Sequence, residues 1–271
     1  MKKKQGRDVI AALIAALLCP LLNSIIGKHI GALFENTFYG YLASQAFFAV
    51  TVLTAVILLR KTAIFRTKKR LLKKNWLSAG LLYIQCLLYF VLGLAYLLEP
   101  VATPVEILCF LAQMCLVGFC EETLFRGLLQ GSLHEYFGED SVWHVALACI
   151  VAAVVFGSAH LLNLLRPNTV VFSVLVQCGT AAFMGLYTGA IYFRTGRNLW
   201  YVMFLHALMD TLAFIATGRL SGQELSDSIN QIGSAGAGTI LVWGGLYSLA
   251  TLIILRPKKV RPLLTDRVAE Q

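Results

Sequence analysis

Charge is scarce in this 271-residue sequence. Asp, Glu, Lys and Arg make up 14% of it and hydrophobic side chains 58%. A soluble domain of this length carries about a quarter of its residues as charges. With a mean hydropathy of +0.73, the composition excludes a soluble fold. Other absences narrow the function. No C-x-x-C pair is present, and the seven cysteines, odd in number and set within apolar runs, read as small buried apolar residues. HExxH is missing, which excludes the zinc helix of soluble metalloproteases, and no G-x-S-x-G turn frames a serine nucleophile. No fixed-period repeat, low-complexity tract or appended soluble domain is evident.

What remains is a series of apolar runs near the roughly 20 residues that a helix needs to span a bilayer. They lie at about 9–27, 40–59, 76–98, 104–125, 142–165, 169–193, 198–217 and 236–255. They are continuous rather than alternating in polarity, so helices and not a barrel satisfy their backbone in lipid. The expected fold is all-α: a polytopic membrane bundle of about eight helices forming one domain over 1–271. The first run follows Lys2, Lys3 and Lys4 but has no small-residue cleavage site, and reads as a retained anchor rather than a signal peptide. The polar stretch 221–238 reads as a flexible loop.

A formal net charge of +9 points to nucleic acid only until the cations are placed on the loops. With the N-terminus inside, the cytoplasmic side takes twenty Lys and Arg: four before the first run, eight from Arg60 to Lys74, then Arg126, Arg194, Arg197, and five from Arg256 to Arg267. Only Lys28, Arg166 and Arg219 fall outside. This asymmetry places both termini in the cytoplasm and makes the basic loop a partner of anionic lipid headgroups, with no nucleic acid involved.

Against this background, ionisable residues inside apolar segments are functional candidates. Glu122 and Arg126 are i, i+4 with the acid first and share a helix face. Glu121 lies about 100° away from that face and is free to point into a cavity. Phe156 and His160 repeat the i, i+4 spacing, which puts the ring one turn before the imidazole, and so do His206 and Asp210. A turn at Gly138–Asp140 places Glu121 and His160 at the same depth on antiparallel neighbours. His206 lies eight residues past Asn198, about 12 Å along a helix, which sets the site in the inner half of the membrane. His29, His134 and His144 fall near boundaries and read as interfacial or solvated. Ser158 is a common packing residue, and Cys120 beside Glu121 lacks the electropositive surroundings of a thiolate nucleophile.

A carboxylate beside an imidazole in a dry cavity activates water, and a second His with an acidic neighbour can bind an oxyanion or complete a metal site. Buried Glu, His and Asp also serve as proton relays in carriers, but neither an inverted repeat nor paired broken helices support that class.

The motifs EETLFR (121–126), FGSAH (156–160) and HALMD (206–210), in this order, resemble the EExxxR, FxxxH and HxxxN/D signature of the CAAX prenyl endopeptidase and bacteriocin-processing (CPBP) intramembrane proteases, which include lysostaphin-resistance-like members. The resemblance covers roughly 104–215. It leaves three N-terminal helices (1–103), and the last helix with its basic tail (236–271), constrained by hydropathy alone. It implies an endopeptidase in a cell membrane, expected to be bacterial, acting on a membrane-associated peptide or protein. Glu121 with His160 activates water, Glu122 and Arg126 hold the helix geometry, and His206 with residue 210 stabilises the oxyanion. Residue 210 is Asp, where Asn is common in the family. An ionised Asp only accepts hydrogen bonds, so Asp210 is protonated, orients His206 or ligates a metal. The resemblance implies either Zn²⁺, with Glu121, His160, His206 and Asp210 as candidate ligands, or a metal-free mechanism. A non-catalytic bacteriocin-immunity role is the alternative.

Overall fold

The computed structural model describes residues 2–66, 69–98, 101–223, 225–234 and 236–268, and contains no strand among them. Lys68 of the basic loop and Glu224 and Ala235 of the polar stretch lie outside the described residues. Among the described residues seven helices are long and apolar enough to cross a membrane: α1 (Lys2–Gly31), α2 (Thr37–Leu58), α3 (Leu71–Leu98), α4 (Pro104–Phe137), α5 (Val142–Leu165), α6 (Val171–Arg194) and α7 (Leu199–Ala216). After the short α8 (Leu225–Ser234) come α9 (Gly236–Ile254) and α10 (Pro257–Val268). Between these last two the chain bends by 52°, and counting the bent pair as one span brings the total to eight. Leu58, Leu98 and Leu241, 74–75% exposed, face outward. Outward leucines on every side suit a hydrocarbon solvent, and the chain is an integral membrane protein.

Local chemistry sets the helix ends. Thr103 caps α4, with Pro104 in the first turn, and Glu106 reaches back to the Thr103 amide in a capping box. Ser141 caps α5 and Asn198 caps α7, each accepting from the backbone N–H three residues on, at 3.1 Å. Short turns make consecutive helices antiparallel. One end of the bundle therefore carries residues 60–66, the Gly138–Asp140 turn and Arg197 (the basic end), and the opposite end carries residues 32–36, 101–103, 166–170 and α8.

The polar stretch 221–238 is not the flexible loop that its composition suggests. Leu225, Ile229 and Ile232 have helical spacing, and α8 forms there and packs on α6 with Ser228 and Ile229 buried. Asn230 ties it down, accepting from the Val170 N–H at 2.9 Å and donating to the Asn168 carbonyl at 2.8 Å.

The helix α4 is not uniform either. From Thr123 to Gln130 it is π-helical, and every residue from 122 to 134 is buried. His134, read as interfacial from its place near a helix end, is 1% exposed and packs on Phe193. The reason is tertiary: α1 lies along this half of α4 and covers it.

Glycines let the site-bearing helices approach. A Cβ on Gly118 would stand 2.7 Å from the Met203 carbonyl of α7, and one on Gly157 would stand 2.6 Å from the Cys178 carbonyl of α6. Gly118→Ala or Gly157→Ala is expected to cost about 1–3 kcal/mol through overpacking, read as a lower thermal midpoint in detergent. Gly245→Ala, with nothing within 4 Å of the new Cβ, should leave the midpoint unchanged or raise it.

Candidate functional site

The three motifs meet around one imidazole. His206 on α7 places Nδ1 2.8 Å from Glu122 Oε1. Its Nε2 lies 3.4 Å from Asp210 Oδ2 and 3.5 Å from Glu121 Oε2. Because Glu122 is a carboxylate, Nδ1–H is the donor, and Nε2 is left for Asp210, Glu121 and the cavity beyond.

Glu122 also faces Arg126, with 3.2 Å between Oε2 and Nε. It is thus not only the partner of Arg126 but also the residue that fixes the His206 ring. Arg126 is held from three sides. Besides Glu122, its Nη2 donates to Thr188 Oγ1 at 2.6 Å, and its guanidinium lies 4.4 Å from the Phe156 ring centre. Glu122, Arg126 and His206 are 0%, 1% and 3% exposed, so this polar cluster is sealed within the bundle. Charges so placed are tolerable only when each meets a partner.

Phe156 is the hub of the second motif. It meets the His160 ring edge-to-face at 5.0 Å and the His206 ring edge-to-face at 5.9 Å. His160 sits where the α-helical part of α5 tightens into a 3₁₀ turn. Its Nδ1 is 3.1 Å from the Phe156 carbonyl, which can only accept. Nδ1 therefore carries the proton, and Nε2 keeps its lone pair.

Glu121, His160, His206 and Asp210 all line one cavity of about 210 Å³, while Glu122 and Arg126 stand behind its wall. Glu121 and Asp210 are 24% and 20% exposed and face the cavity. Glu121 and His160 share the cavity without an ion-pair contact, and the imidazole that Glu121 approaches is His206. The donor set of two carboxylates and two imidazoles has the chemistry of a zinc site. Its spacing does not: among the described residues no three His, Cys, Asp or Glu side chains are grouped so as to hold a metal ion.

Residues 103–212 match the model of the Rce1-like type II CAAX prenyl endopeptidase family. The three-motif core of this chain is thus similar to that family. The match starts at the Thr103 cap and ends just past Asp210, so the Rce1-like segment contains every residue of the cluster. Comparison with curated proteins and with solved structures gives no match.

Several supports of the Rce1-like core went unmarked in the motif reading. Thr188 holds Arg126, and Gly185 leaves room for Phe156, whose Cδ1 would be 2.8 Å from an added Cβ. Gln130 donates to the Gly189 carbonyl at 2.9 Å, and it too needs a glycine opposite. The available signal was the small-xxx-small pair Gly185/Gly189 on α6. Removing one partner of the buried pair is the sharpest test of the cluster. Arg126→Ala should lower stability by about 3–5 kcal/mol, measured as loss of monodisperse protein and a fall in thermal midpoint, with Thr188→Ala far milder.

Proposed function

We propose that this chain is an intramembrane endopeptidase that hydrolyses a peptide bond of a membrane-associated peptide or protein, using water activated by Glu121 and His160. The observation that carries the reading is the convergence of Glu121, His160, His206 and Asp210 on one cavity, with the His206 ring locked from behind by Glu122. The Rce1-like match over the same residues supports it.

In this mechanism the scissile carbonyl enters between the two imidazoles. A water in the cavity gives a proton to the Glu121 carboxylate, with His160 Nε2 as a second acceptor for its hydrogens, and the water oxygen bonds to the carbonyl carbon. The carbonyl π-electrons move to oxygen. The resulting oxyanion accepts a hydrogen bond from Nε2–H of His206 in its doubly protonated form, whose positive charge is balanced by the carboxylates around it. Because His206 Nδ1–H is committed to Glu122, the ring cannot turn away, which is the preorganisation this role requires. Asp210 orients the opposite edge of the same ring. As the C–N bond breaks, the proton held by Glu121 passes to the leaving nitrogen and gives an amine and a carboxylic acid. A bound Zn²⁺, if the four cavity residues close around one, would supply Lewis acidity at the carbonyl. The steps above draw only on the chain's own residues.

Glu121→Ala should cut the cleavage rate of a membrane-associated reporter by about 10²–10⁴, the usual worth of a general base, while the protein still inserts and keeps its thermal midpoint. Unchanged cleavage would remove the assignment. Chelation followed by metal analysis checks the cofactor: full activity with no bound metal establishes a metal-free reaction, and loss restored by Zn²⁺ establishes a zinc enzyme.

A further inference from the structure

An oxyanion formed in a dry cavity is stabilised by several preorganised donors aimed at one point. His206 supplies one of them. Asp210, as a carboxylate, only accepts hydrogen bonds and supplies none. Gln85 and Tyr89 of α3 and Tyr247 of α9 lie outside the matched segment 103–212, yet they line the same cavity as Glu121, His160, His206 and Asp210.

The helices α3 and α7 both begin at the basic end and run parallel, and two contacts fix their register. The hydroxyls of Tyr83 and Tyr201 are hydrogen-bonded at 2.7 Å, and a Cβ on Gly93 would stand 2.9 Å from Ile215. The offset between the two helices is thus 118 residues at the first contact and 122 at the second. Gln85 thereby comes level with His206, and Tyr89 with Asp210. Each pair is spaced i, i+4 on its own helix, so a polar stripe on α3 lies beside the one on α7.

A relay of hydrogen bonds sets the Tyr89 ring. Tyr247 donates its hydroxyl proton to Gln85 Oε1, and Gln85 Nε2 donates to Tyr89 Oη at 3.2 Å. Gln85 and Tyr247 are 5% and 2% exposed, and Tyr247 packs on Tyr187 and Trp243, with ring centres 5.6 and 5.9 Å away. Because Tyr89 Oη accepts from Gln85, its own O–H is left to donate, and it meets no acceptor among the described residues. Asp210 is near enough to act on Tyr89 electrostatically, yet no hydrogen bond joins them.

We propose that Tyr89 is a catalytic residue, the second donor to the oxyanion: its O–H meets the carbonyl oxygen from the α3 side as His206 meets it from α7. Tyr89 donates a hydrogen bond and keeps its proton, so no bond is made or broken at the ring. Gln85 and Tyr247 are positioning residues that aim the phenol. Tyr89 has this role only if the chain is the protease proposed above, and the working site then extends to α3 and α9, which the matched segment lacks.

Tyr89→Phe in the full chain should lower kcat on a membrane-associated reporter by about 10²-fold, the worth of one oxyanion donor, with KM and thermal midpoint unchanged. Tyr83→Phe, which removes a phenol hydroxyl away from the cavity, should keep the wild-type kcat. A peptide phosphinate, whose tetrahedral anionic group stands in for the oxyanion, should lose affinity for the Tyr89→Phe chain by the same factor. Wild-type kcat in Tyr89→Phe, or a fall in kcat with phosphinate affinity intact, overturns the proposal. Gln85→Met and Tyr247→Phe should each lower kcat by about tenfold alone and add nothing in the Tyr89→Phe chain. Additive losses overturn the relay. Failure of the protease reading looks different: the wild type and Glu121→Ala would be equally inactive, which removes both, whereas cleavage lost in Glu121→Ala and kept in Tyr89→Phe removes the Tyr89 role alone.

Discussion

The structure depends on keeping a carboxylate and a guanidinium in a place that water does not reach. Glu122 and Arg126 are sealed within the bundle, where each alone would carry a desolvation cost of several kcal/mol. Their solution is collective. Glu122 answers both Arg126 and His206, and Arg126 adds the Thr188 hydroxyl and the Phe156 face. These partners come from four helices, so satisfying one ion pair fixes α4, α5, α6 and α7 relative to one another. The glycines at 118, 157 and 185 are the packing counterpart of the same demand, since only a bare backbone permits these distances. Stability and site geometry are therefore one problem here: the cluster that must be satisfied for the helices to dock is also the cluster that aims His206 at the cavity.

The division of polarity along the bundle axis follows. Toward the basic end α1 lies over the π-helical part of α4 and buried residues of α6 and α7 pack around the cluster, while a pocket of about 340 Å³ at that end, lined by Arg66, Gly127 and Arg197 among others, borders none of the four site residues. Toward the other end the interior holds two cavities that share Gln45, Gln113 and Arg166 in their walls. A hydrolase within a membrane needs both halves. Under the proposed reading, the packed half excludes bulk water and holds the candidate groups still, and the hollow half admits substrate and water. The two adjacent glutamates stand at the boundary, Glu122 facing the packed half and Glu121 the hollow one.

Sequence alone determined the class of the molecule. Long apolar runs, the near absence of charge within them and the one-sided distribution of cations dictate an all-helical membrane protein, because lipid leaves the backbone no other way to pair. The i, i+4 spacings of Glu122/Arg126, Phe156/His160 and His206/Asp210 were also legible, since a helix face is a local property. The reading erred where neighbours decide. His134 was placed at an interface because nothing in the sequence shows that Phe193 of α6 will pack on it, and 221–238 was read as a loop although a helix forms there against α6. The π-helical turn within EETLFRGLLQ was equally hidden.

Tertiary structure decided the pairing of the ionisable groups and the direction in which they look out. Spacing put Glu122 with Arg126, but docking of α7 added His206 and gave Glu122 a second task. Depth counting put Glu121 level with His160, and both line the cavity, but the imidazole in ion-pair contact with Glu121 is that of His206. Where the cavities lie depends on volumes left between helices, and no one helix encodes these. The sequence names the candidate groups because chemistry is carried by residue type and local period. Their mutual arrangement belongs to the fold because contact in a bundle is set by which helix faces meet, and that is decided by all of them at once.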